Sequence, residues 1–442
     1  MQIPTPSARL ARLSVGVLAA TALLAGIVHN SPSFSAGAAV LSSGRAVPPE
    51  PGTPWTGAWG TAMQRPVAGD EDSGPNWSAE GFAGHTVRQV VRVSAGGTSV
   101  RIRLSNVYGT RPLRVTGATI GRSAGGSLVW PDTIKKVTFG RAANAVVPAG
   151  REAVSDTVAL TTSPLERLTV TLRFAEATGP ATFHRFALDR TYRAEGDRLT
   201  DVGNGTFPES TGAWYYLSGV DVAGGTRPGR NTVVTFGDSL VDGVGATPGA
   251  DARFTDALAE RLVAARRPFG VVNAGIGSNK LLNDSACGSD RALARFERDV
   301  LGRPGVRSVI VHLGANDLGA PQVEDPCVHP NPKVSAKQII DGHRKLIRAA
   351  HARGVKALGM PILPMKGALF PIWNEEAEGV RQAVNTWIRT SGEYDGVVDA
   401  AKVLSDPDDA RMPRPGYVFM DGLHTNDAGN HAIAASIDLG DL

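Results

Sequence analysis

The sequence predicts an antiparallel β-sandwich followed by an α/β domain, in which a parallel sheet carries helices on both faces. Alternating apolar and polar residues with the period of strands continue to about Val222, whereas near-continuous apolar runs alternate with helical segments from Thr232 onward. The 442 residues are enough for two or three domains of roughly 100 to 200 residues each. We therefore predict a β-sandwich domain over residues 55–225 and an α/β domain over residues 230–442.

The composition indicates a globular chain without a basic nucleic-acid-binding segment. The 52 glycines and 29 prolines stay below the share at which low-complexity disorder becomes the default interpretation. Lys and Arg total 46 and Asp and Glu total 42, which gives a net charge of +4, and these charges are interspersed along the chain. Because a nucleic-acid-binding surface needs clustered basic residues, we expect no nucleic-acid partner.

The N-terminus has the pattern of a secretory signal peptide. Arg9 and Arg12 precede an apolar run over residues 13–28, and small residues at 36–38 offer a cleavage site. A membrane anchor is the alternative, but this run is shorter than the roughly 20 residues that span a bilayer. We predict a signal peptide over residues 1–38, a proline-rich leader over 39–54 and an extracellular protein.

The two cysteines, Cys287 and Cys327, predict a disulfide. Both lie in segments marked by glycine or proline, and an even pair in an exported protein is better explained by a disulfide than by a metal site. A bridge between these two positions closes a loop of about 40 residues, which stabilises a fold by about 4 kcal/mol in the chain-entropy model. We therefore expect a structural and not a redox role.

Alternating runs over residues 86–93, 100–104 and 168–172 predict the strands of the first domain. Long amphipathic helices are hard to find there, which favours an antiparallel sandwich. The aromatic residues of this half have two interpretations, a sandwich core or a surface that stacks on sugar rings. They are Trp55, Trp59, Trp77, Trp130, Trp214, Tyr215 and Tyr216.

Five apolar runs alternate with helical segments in the second half. The runs are 232–236, 270–274, 306–313, 355–360 and 396–399, and the helical segments are 253–266, 291–301, 335–353, 375–389 and 426–437. Near-continuous apolar strands are typical of a parallel sheet that is covered on both faces. Ligands of such sheets bind at the carboxyl ends of the strands, so we expect functional residues in the loops that follow strands.

A candidate nucleophile follows the first of these strands. Ser239 lies in Phe236-Gly237-Asp238-Ser239-Leu240, although a serine there is also a common helix cap. Serine needs an adjacent base, and an imidazole oriented by a carboxylate supplies one. Asp421 and His424, separated by two residues, fit those roles.

Two further loops are candidates for an oxyanion hole, which needs hydrogen-bond donors in place before charge develops. The segment Asn273-Ala274-Gly275-Ile276-Gly277-Ser278-Asn279 follows the second strand and can offer a backbone N–H. The segment Gly314-Ala315-Asn316-Asp317 follows the third strand and can offer the Asn316 side-chain amide.

The motifs Gly-Asp-Ser-Leu, Gly-Ala-Asn-Asp and Asp-Gly-Leu-His, in this order, resemble those of the SGNH hydrolases, the GDSL esterase and lipase superfamily. The resemblance covers residues 230–442 and implies a three-layer α/β/α hydrolase domain. It implies that Ser239 is the nucleophile and an oxyanion donor, and that Asn316 is a side-chain donor. It also implies that His424 is the base and that Asp421 orients it.

The second loop departs slightly from the family pattern. Family members usually have glycine at the oxyanion position, whereas this sequence aligns Ser278 there with Gly277 beside it, so that either N–H could serve. The β-rich half resembles the accessory domain of some secreted actinobacterial members.

Other interpretations of the same residues remain open. His424, Asp427 and His431 have a spacing that suits metal ligands on one helix face. Gly275-x-Gly277-x-x-Lys280 begins like a dinucleotide-binding motif but lacks its third glycine. We interpret His312 as a packed core histidine and His431 as a helix-surface residue. A protein that binds without catalysing is a further alternative.

The expected function is that of a secreted serine ester hydrolase without metal or organic cofactor. Its substrate would be a lipid, a small ester or an acetylated glycan, and acyl transfer is a further alternative. The main alternative is an acetylesterase acting on acetylated polysaccharide, with the β domain as a glycan-binding module. The residues give no indication of the oligomeric state.

Overall fold

The computed structural model describes residues 54–70, 73–225 and 229–442. The predicted signal peptide and all of the predicted leader except Pro54 lie outside these residues. Within them, no helix has the length and apolar character that a membrane crossing requires. We refer to residues 54–225 as the β region and to residues 229–442 as the α/β region.

The β region consists almost entirely of short strands. In chain order they are β1 (Thr56–Gly60), β2 (His85–Arg92), β3 (Gly97–Ser105), β4 (Leu113–Val115), β5 (Gly117–Gly125), β6 (Leu128–Val129), β7 (Lys135–Lys136), β8 (Ala145–Val147), β9 (Glu152–Val154), β10 (Val158–Thr162), β11 (Arg167–Phe174), β12 (Phe183–His184), β13 (Thr191–Glu195), β14 (Glu209–Thr211), β15 (Trp214–Tyr215) and β16 (Leu217–Ala223).

Two antiparallel sheets form the predicted sandwich. One has the order β1-β16-β3-β10 with β9 beside β3, and the other has the order β14-β13-β2-β11-β5-β6 with β7 beside β5. Apolar side chains of both sheets, such as Val87 and Val91 on β2 and Ile102 on β3, pack into one core. The alternating sequence pattern thus places one face of each sheet against the other.

Most of the aromatic residues of this region belong to its interior. Trp77, Trp214, Tyr215 and Tyr216 are buried, and Trp55 and Trp59 are half-buried. Trp130 is the exception, with 58% of its surface exposed. A core role therefore accounts for most of these side chains, and one exposed indole is left for any contact with a sugar.

The α/β region alternates strands with helices. Its strands are β17 (Thr232–Gly237), β18 (Gly270–Gly275), β19 (Val306–His312), β20 (Lys356–Gly359) and β21 (Gly396–Val397). Its helices are α1 (Ser239–Asp242), α2 (Phe254–Ala264), α3 (Ala292–Phe296), α4 (Ala315–Gly319), α5 (Ala336–His351), α6 (Glu375–Thr390), α7 (Ala400–Val403) and α8 (Asp427–Ser436).

The five strands form one parallel sheet in the order β18-β17-β19-β20-β21. Every residue of β17 is buried, as a central strand covered on both faces requires. One core cluster contains residues of α3, α5 and α6, and another contains residues of α2, α7 and α8. The predicted α/β fold with a parallel sheet is therefore confirmed, and the helices form the two outer layers.

The predicted long helices are also present, with ends shifted by a few residues. A capping box between Ser335 and Gln338 begins α5, and the Asn374 side chain caps α6. The segment predicted as one helix over 291–301 is α3 followed by a π-helical turn at Glu297–Leu301. The short helices α1, α4 and α7 were not predicted, because four or five residues carry no readable period.

The β region packs closely against the α/β region. The Ser94 hydroxyl accepts a hydrogen bond from the Val271 N–H at 2.7 Å, near the amino end of β18. The buried Arg303 guanidinium donates to the carbonyl oxygens of Ser218 and Thr61. These buried polar contacts fix the position of the β region beside the sheet.

Candidate active site

Ser239 is the first residue of α1, directly after the carboxyl end of β17. The side chain of the preceding Asp238 caps α1 by accepting from the Leu240 N–H, so Ser239 is not the helix cap. Asp238 Oδ1 also accepts from Nδ1 of His312, at the end of the neighbouring strand β19 (3.0 Å). This contact ties the turn that carries Ser239 to the next strand, and Ser239 itself is half-buried.

The structure brings the three predicted residues of the catalytic set together. His424 Nε2 lies 2.8 Å from Ser239 Oγ, and His424 Nδ1 lies 2.6 Å from Asp421 Oδ2. Because an ionised carboxylate only accepts, Nδ1 carries a hydrogen and Nε2 is left to accept from the serine hydroxyl. This arrangement can take a proton from Ser239.

Asp421 has a second task in its own turn. Its Oδ1 accepts from the N–H groups of Leu423 and His424 at 2.9 and 3.0 Å, which folds the loop around the carboxylate. Burial raises the pKa of Asp421, but the hydrogen bonds and charge of His424 together with these two N–H donors outweigh it. The pKa of Asp421 therefore lies below its usual value, and the carboxylate stays ionised at neutral pH.

Two glycines allow the histidine loop to approach Ser239. Gly245, at φ +93°, follows α1, and a Cβ there would meet the Thr425 carbonyl oxygen at 2.6 Å and His424 Cβ at 3.1 Å. Gly422, at φ +70°, turns the chain between Asp421 and His424. A side chain at either position would move His424 away from Ser239.

The turn after β18 distinguishes between the two predicted backbone donors. The Gly277 N–H donates to Asp242 Oδ2 at 2.8 Å and is therefore occupied, which favours Ser278 over Gly277 as the oxyanion donor. The Ser278 N–H has no acceptor in the described part of the chain. The Asn279 N–H bonds to the Ile276 carbonyl and closes a β-turn, in which Ser278 has φ +60°. Ser278 thus takes a conformation that glycine usually occupies.

Asn316 lies at the start of α4, after β19. Its Nδ2 donates to the Asn279 carbonyl at 3.1 Å, and the amide has a second hydrogen. The strand register pairs Gly237 with Gly275 on one side and with His312 on the other. Ser239, Ser278 and Asn316 therefore follow three adjacent strands at one edge of the sheet.

Two buried residues that the sequence analysis missed support these loops. Arg295 donates to the carbonyl oxygens of Gly237 and Ala274, at the ends of β17 and β18, and to Asn279 Oδ1. Asp317 accepts from the N–H groups of Leu281 and Leu282. Both side chains are buried. Arg295 lies in no motif, and Asp317 is the last residue of the Gly-Ala-Asn-Asp motif, in which only Asn316 was given a role.

The predicted disulfide joins Cys287 and Cys327, with a Cα–Cα distance of 5.2 Å. Lys280 lies near it and donates to the carbonyl oxygens of Val328 and Pro330 and to Asn331 Oδ1. The lysine of the dinucleotide-like pattern is therefore occupied by the protein's own loop and does not face a phosphate site.

The metal-ligand interpretation of the C-terminal histidines does not fit the geometry. Both ring nitrogens of His424 are engaged by Ser239 and Asp421, Asp427 Oδ1 accepts from the Thr247 N–H, and His431 is exposed. Over residues 54–70, 73–225 and 229–442, no group of three His, Cys, Asp or Glu side chains is arranged to hold a metal ion.

His312 is buried, as we predicted for a core histidine, but only one of its nitrogens is satisfied. Its Nδ1 bonds to Asp238, whereas Nε2 has no hydrogen-bond partner among the described residues.

The fold and the site define an α/β protein with a serine, a histidine and an aspartate in hydrogen-bond contact at the carboxyl edge of a parallel sheet. Residues 235–432 match the model of the GDSL-like lipase/acylhydrolase family. The α/β region therefore contains a GDSL-like, or SGNH, hydrolase domain, as its motifs predicted, and the antiparallel β region precedes it.

Solved structures of several proteins are similar to part of this chain. A GDSL-like lipase from Bacteroides thetaiotaomicron VPI-5482 is 16% identical, covers 48% of this chain and 88% of its own, and has a TM-score of 0.36. A lipase/acylhydrolase from Enterococcus faecalis is 16% identical, covers 47% of this chain and 92% of its own, and has a TM-score of 0.36. An acetyl xylan esterase is 20% identical, covers 46% of this chain and 96% of its own, and has a TM-score of 0.35. A comparison with curated proteins finds no match.

Proposed function

We propose that the protein is a secreted serine ester hydrolase that cleaves carboxylic esters through an acyl-enzyme. The observation that carries the proposal is the continuous contact from Asp421 through His424 to Ser239, at 2.6 and 2.8 Å. Membership of the domain in a lipase/acylhydrolase family supports hydrolysis. The signal-peptide pattern of the N-terminus and the Cys287–Cys327 disulfide support secretion.

In the proposed reaction, His424 Nε2 takes the proton of Ser239 as the serine oxygen attacks the ester carbonyl carbon. The negative oxygen of the tetrahedral intermediate accepts from the N–H groups of Ser239 and Ser278 and from the Asn316 amide. The C–O bond to the alcohol then breaks, and His424 returns the proton to that alcohol. Water attacks the acyl-enzyme with His424 as base and releases the acid and free Ser239.

An apolar surface beside the histidine loop favours substrates with an apolar acyl chain. Leu369, Phe370, Phe419 and Met420 belong to the exposed large apolar residues of the described chain, at 69%, 44%, 39% and 70% exposure. The two segments that carry them are in contact, because the Leu369 N–H donates to the Asp421 carbonyl. Such a surface offers contact to a hydrocarbon chain and little to a polar acetylated glycan.

The acetylesterase interpretation with a glycan-binding β region has less support. Six of its seven candidate aromatic residues are buried or half-buried, which leaves Trp130.

The deciding experiment measures initial rates on p-nitrophenyl esters from acetate to palmitate, with the Ser239→Ala variant beside the unmodified chain. We expect Ser239-dependent hydrolysis that is fastest on an intermediate or long chain. Ser239→Ala removes one hydroxyl, so its fold should be unchanged by circular dichroism. Full activity of that variant would refute the proposal, and an optimum at acetate would favour the acetylesterase.

A further inference from the structure

The β region contacts the same helical turn and loop that carry the proposed catalytic groups. Asp242 is the last residue of α1, three positions after Ser239, and its side chain is 1% exposed. One oxygen of its carboxylate accepts from the Gly277 N–H, as described above. The other oxygen lies 3.0 Å from Nε2 of His184, on β12 of the β region.

His184 is held as firmly as Asp242. Its Nδ1 lies 2.9 Å from the Ala62 carbonyl oxygen, its ring stacks on Trp214 with centroids 5.6 Å apart, and its side chain is 3% exposed. Both ring nitrogens therefore face acceptors. The ring nitrogen that faces Asp242 holds the carboxyl group in place from the side opposite the Gly277 N–H. The α/β region supplies the buried carboxylate, and the β region supplies its partner.

We infer that His184 is a positioning residue for the oxyanion hole, which it orients through Asp242 and the Gly277 N–H. The inference rests on the proposed function and assigns the β region a part in the same site. The peptide unit from Gly277 to Ser278 ends in the Ser278 N–H. Holding Gly277 in place therefore fixes the direction in which the Ser278 N–H points.

A second contact from the same strand end supports this assignment. Phe186 lies against Gly277, where an added Cβ would stand 2.8 Å from Phe186 Cε2. The segment from Phe183 to Ala187 thus contacts the oxyanion turn, residues 276–279, both through His184 and Asp242 and directly through Phe186. By contrast, the contact between Ser94 and the Val271 N–H lies at the amino end of β18, away from the turn.

The test uses the full chain with three substitutions. His184→Ala removes the donor to Asp242, and His184→Gln offers an amide N–H in its place. Ser94→Ala removes a buried hydrogen bond between the same two regions without touching Asp242, and it is the matched control. Thermal unfolding of each variant establishes that it is folded before other measurements are compared.

Amide hydrogen exchange of the peptide that contains residues 276–280 reports directly on the turn. We expect faster exchange in His184→Ala, recovery towards the unmodified rate in His184→Gln, and no change in Ser94→Ala. Unchanged exchange in His184→Ala, or an equal increase in Ser94→Ala, would overturn the inference. This result does not depend on ester hydrolysis, so it remains decisive if the proposed function fails.

Steady-state kinetics test the link to the oxyanion hole. A misdirected Ser278 N–H stabilises the negative oxygen of the transition state less, whereas binding of the neutral ester changes little. We therefore expect kcat to fall at least about tenfold while KM changes less than about twofold. His184→Gln should recover part of kcat, and Ser94→Ala should retain it. A kcat that is unaltered in His184→Ala despite a mobile turn would refute the positioning role.

Discussion

Arg295 donates a hydrogen bond to the carbonyl oxygen of Gly237 at 2.7 Å, at the point where the chain leaves β17 for Ser239. The same guanidinium donates to Ala274 at 2.8 Å, at the end of β18, and lies over the Phe236 ring at 4.2 Å. The strand that leads to Ser239 and the strand that leads to Ser278 are therefore joined by one buried cation.

We expect Arg295→Met to be among the most destabilising single changes in the α/β region. Methionine fills similar space but leaves several buried oxygens without donors, which should cost at least about 3 kcal/mol in the free energy of unfolding. Urea unfolding measures this loss. The matched control is Arg353→Met, because that side chain is 59% exposed and pairs with Glu297 at the surface, where an ion pair is worth about 1 kcal/mol or less. Equal losses in the two variants would contradict the role of Arg295 in joining the ends of β17 and β18.

Asp317 should make stability depend on pH between about 4 and 6. Burial raises its pKa to about 6, although the N–H groups of Leu281 and Leu282 and the charge of Lys280 favour the ionised form. The folded chain therefore holds this proton more tightly than the unfolded chain, and stability falls as pH rises from about 4 through 6. Relative to Asp317→Asn, the unmodified protein should lose about 3 kcal/mol across that range. Urea unfolding from pH 4 to pH 8 measures the difference, and a constant difference would refute this role.

Asp421→Asn should lower kcat/KM by about a thousandfold or more, because the amide no longer holds the tautomer of His424 that accepts from Ser239. The depressed pKa of Asp421 also has a stability consequence. Its ionised form stabilises the folded chain above the usual value of 3.8, and this contribution disappears as pH falls below that value. The stability gap between the two proteins should therefore be constant near neutral pH and close in acid. A variant with unimpaired turnover would exclude Asp421 from the mechanism.

The disulfide should stabilise the loop that Lys280 holds. Cys287 and Cys327 are 40 residues apart, and the chain-entropy model gives about 4 kcal/mol for closing such a loop. The Cys287→Ser/Cys327→Ser double variant should lose about that much free energy of unfolding. Reduction of the unmodified protein with dithiothreitol is the control and should give the same loss. A difference below about 1 kcal/mol would show that the bridge does not constrain the unfolded chain.

The sequence was sufficient for the parallel sheet and for the three residues now found in contact, because their motifs follow strands whose apolar runs are unambiguous. It was not sufficient for the supporting residues. His184, Arg295 and Asp317 act through contacts between segments far apart in the chain. His184 and Arg295 resemble ordinary surface residues when only their neighbours in sequence are considered, and the motif that contains Asp317 does not indicate which backbone groups its carboxylate binds. The choice between Gly277 and Ser278 also depended on a distant residue, Asp242, which occupies one of the two N–H groups.

The apolar surface beside the histidine loop should set the preference for acyl-chain length. Leu369 and Met420 are the two most exposed large apolar residues of the described chain, and a hydrocarbon chain that covers them removes their surface from water. The Leu369→Ser/Met420→Ser variant should lose about tenfold in kcat/KM on p-nitrophenyl palmitate, which corresponds to about 1.4 kcal/mol of lost apolar contact. Acetate is too short to reach the surface, so its hydrolysis should change less than about twofold.

A matched control separates this effect from a general change in surface polarity. Val146 is 54% exposed on β8 of the β region, and Val146→Ser should leave the chain-length profile unaltered. An equal loss on acetate and palmitate in the double variant would show that the two serines disturb the adjacent Asp421 turn instead of removing an acyl-binding surface. An unchanged rate on palmitate would assign the acyl chain to another part of the domain.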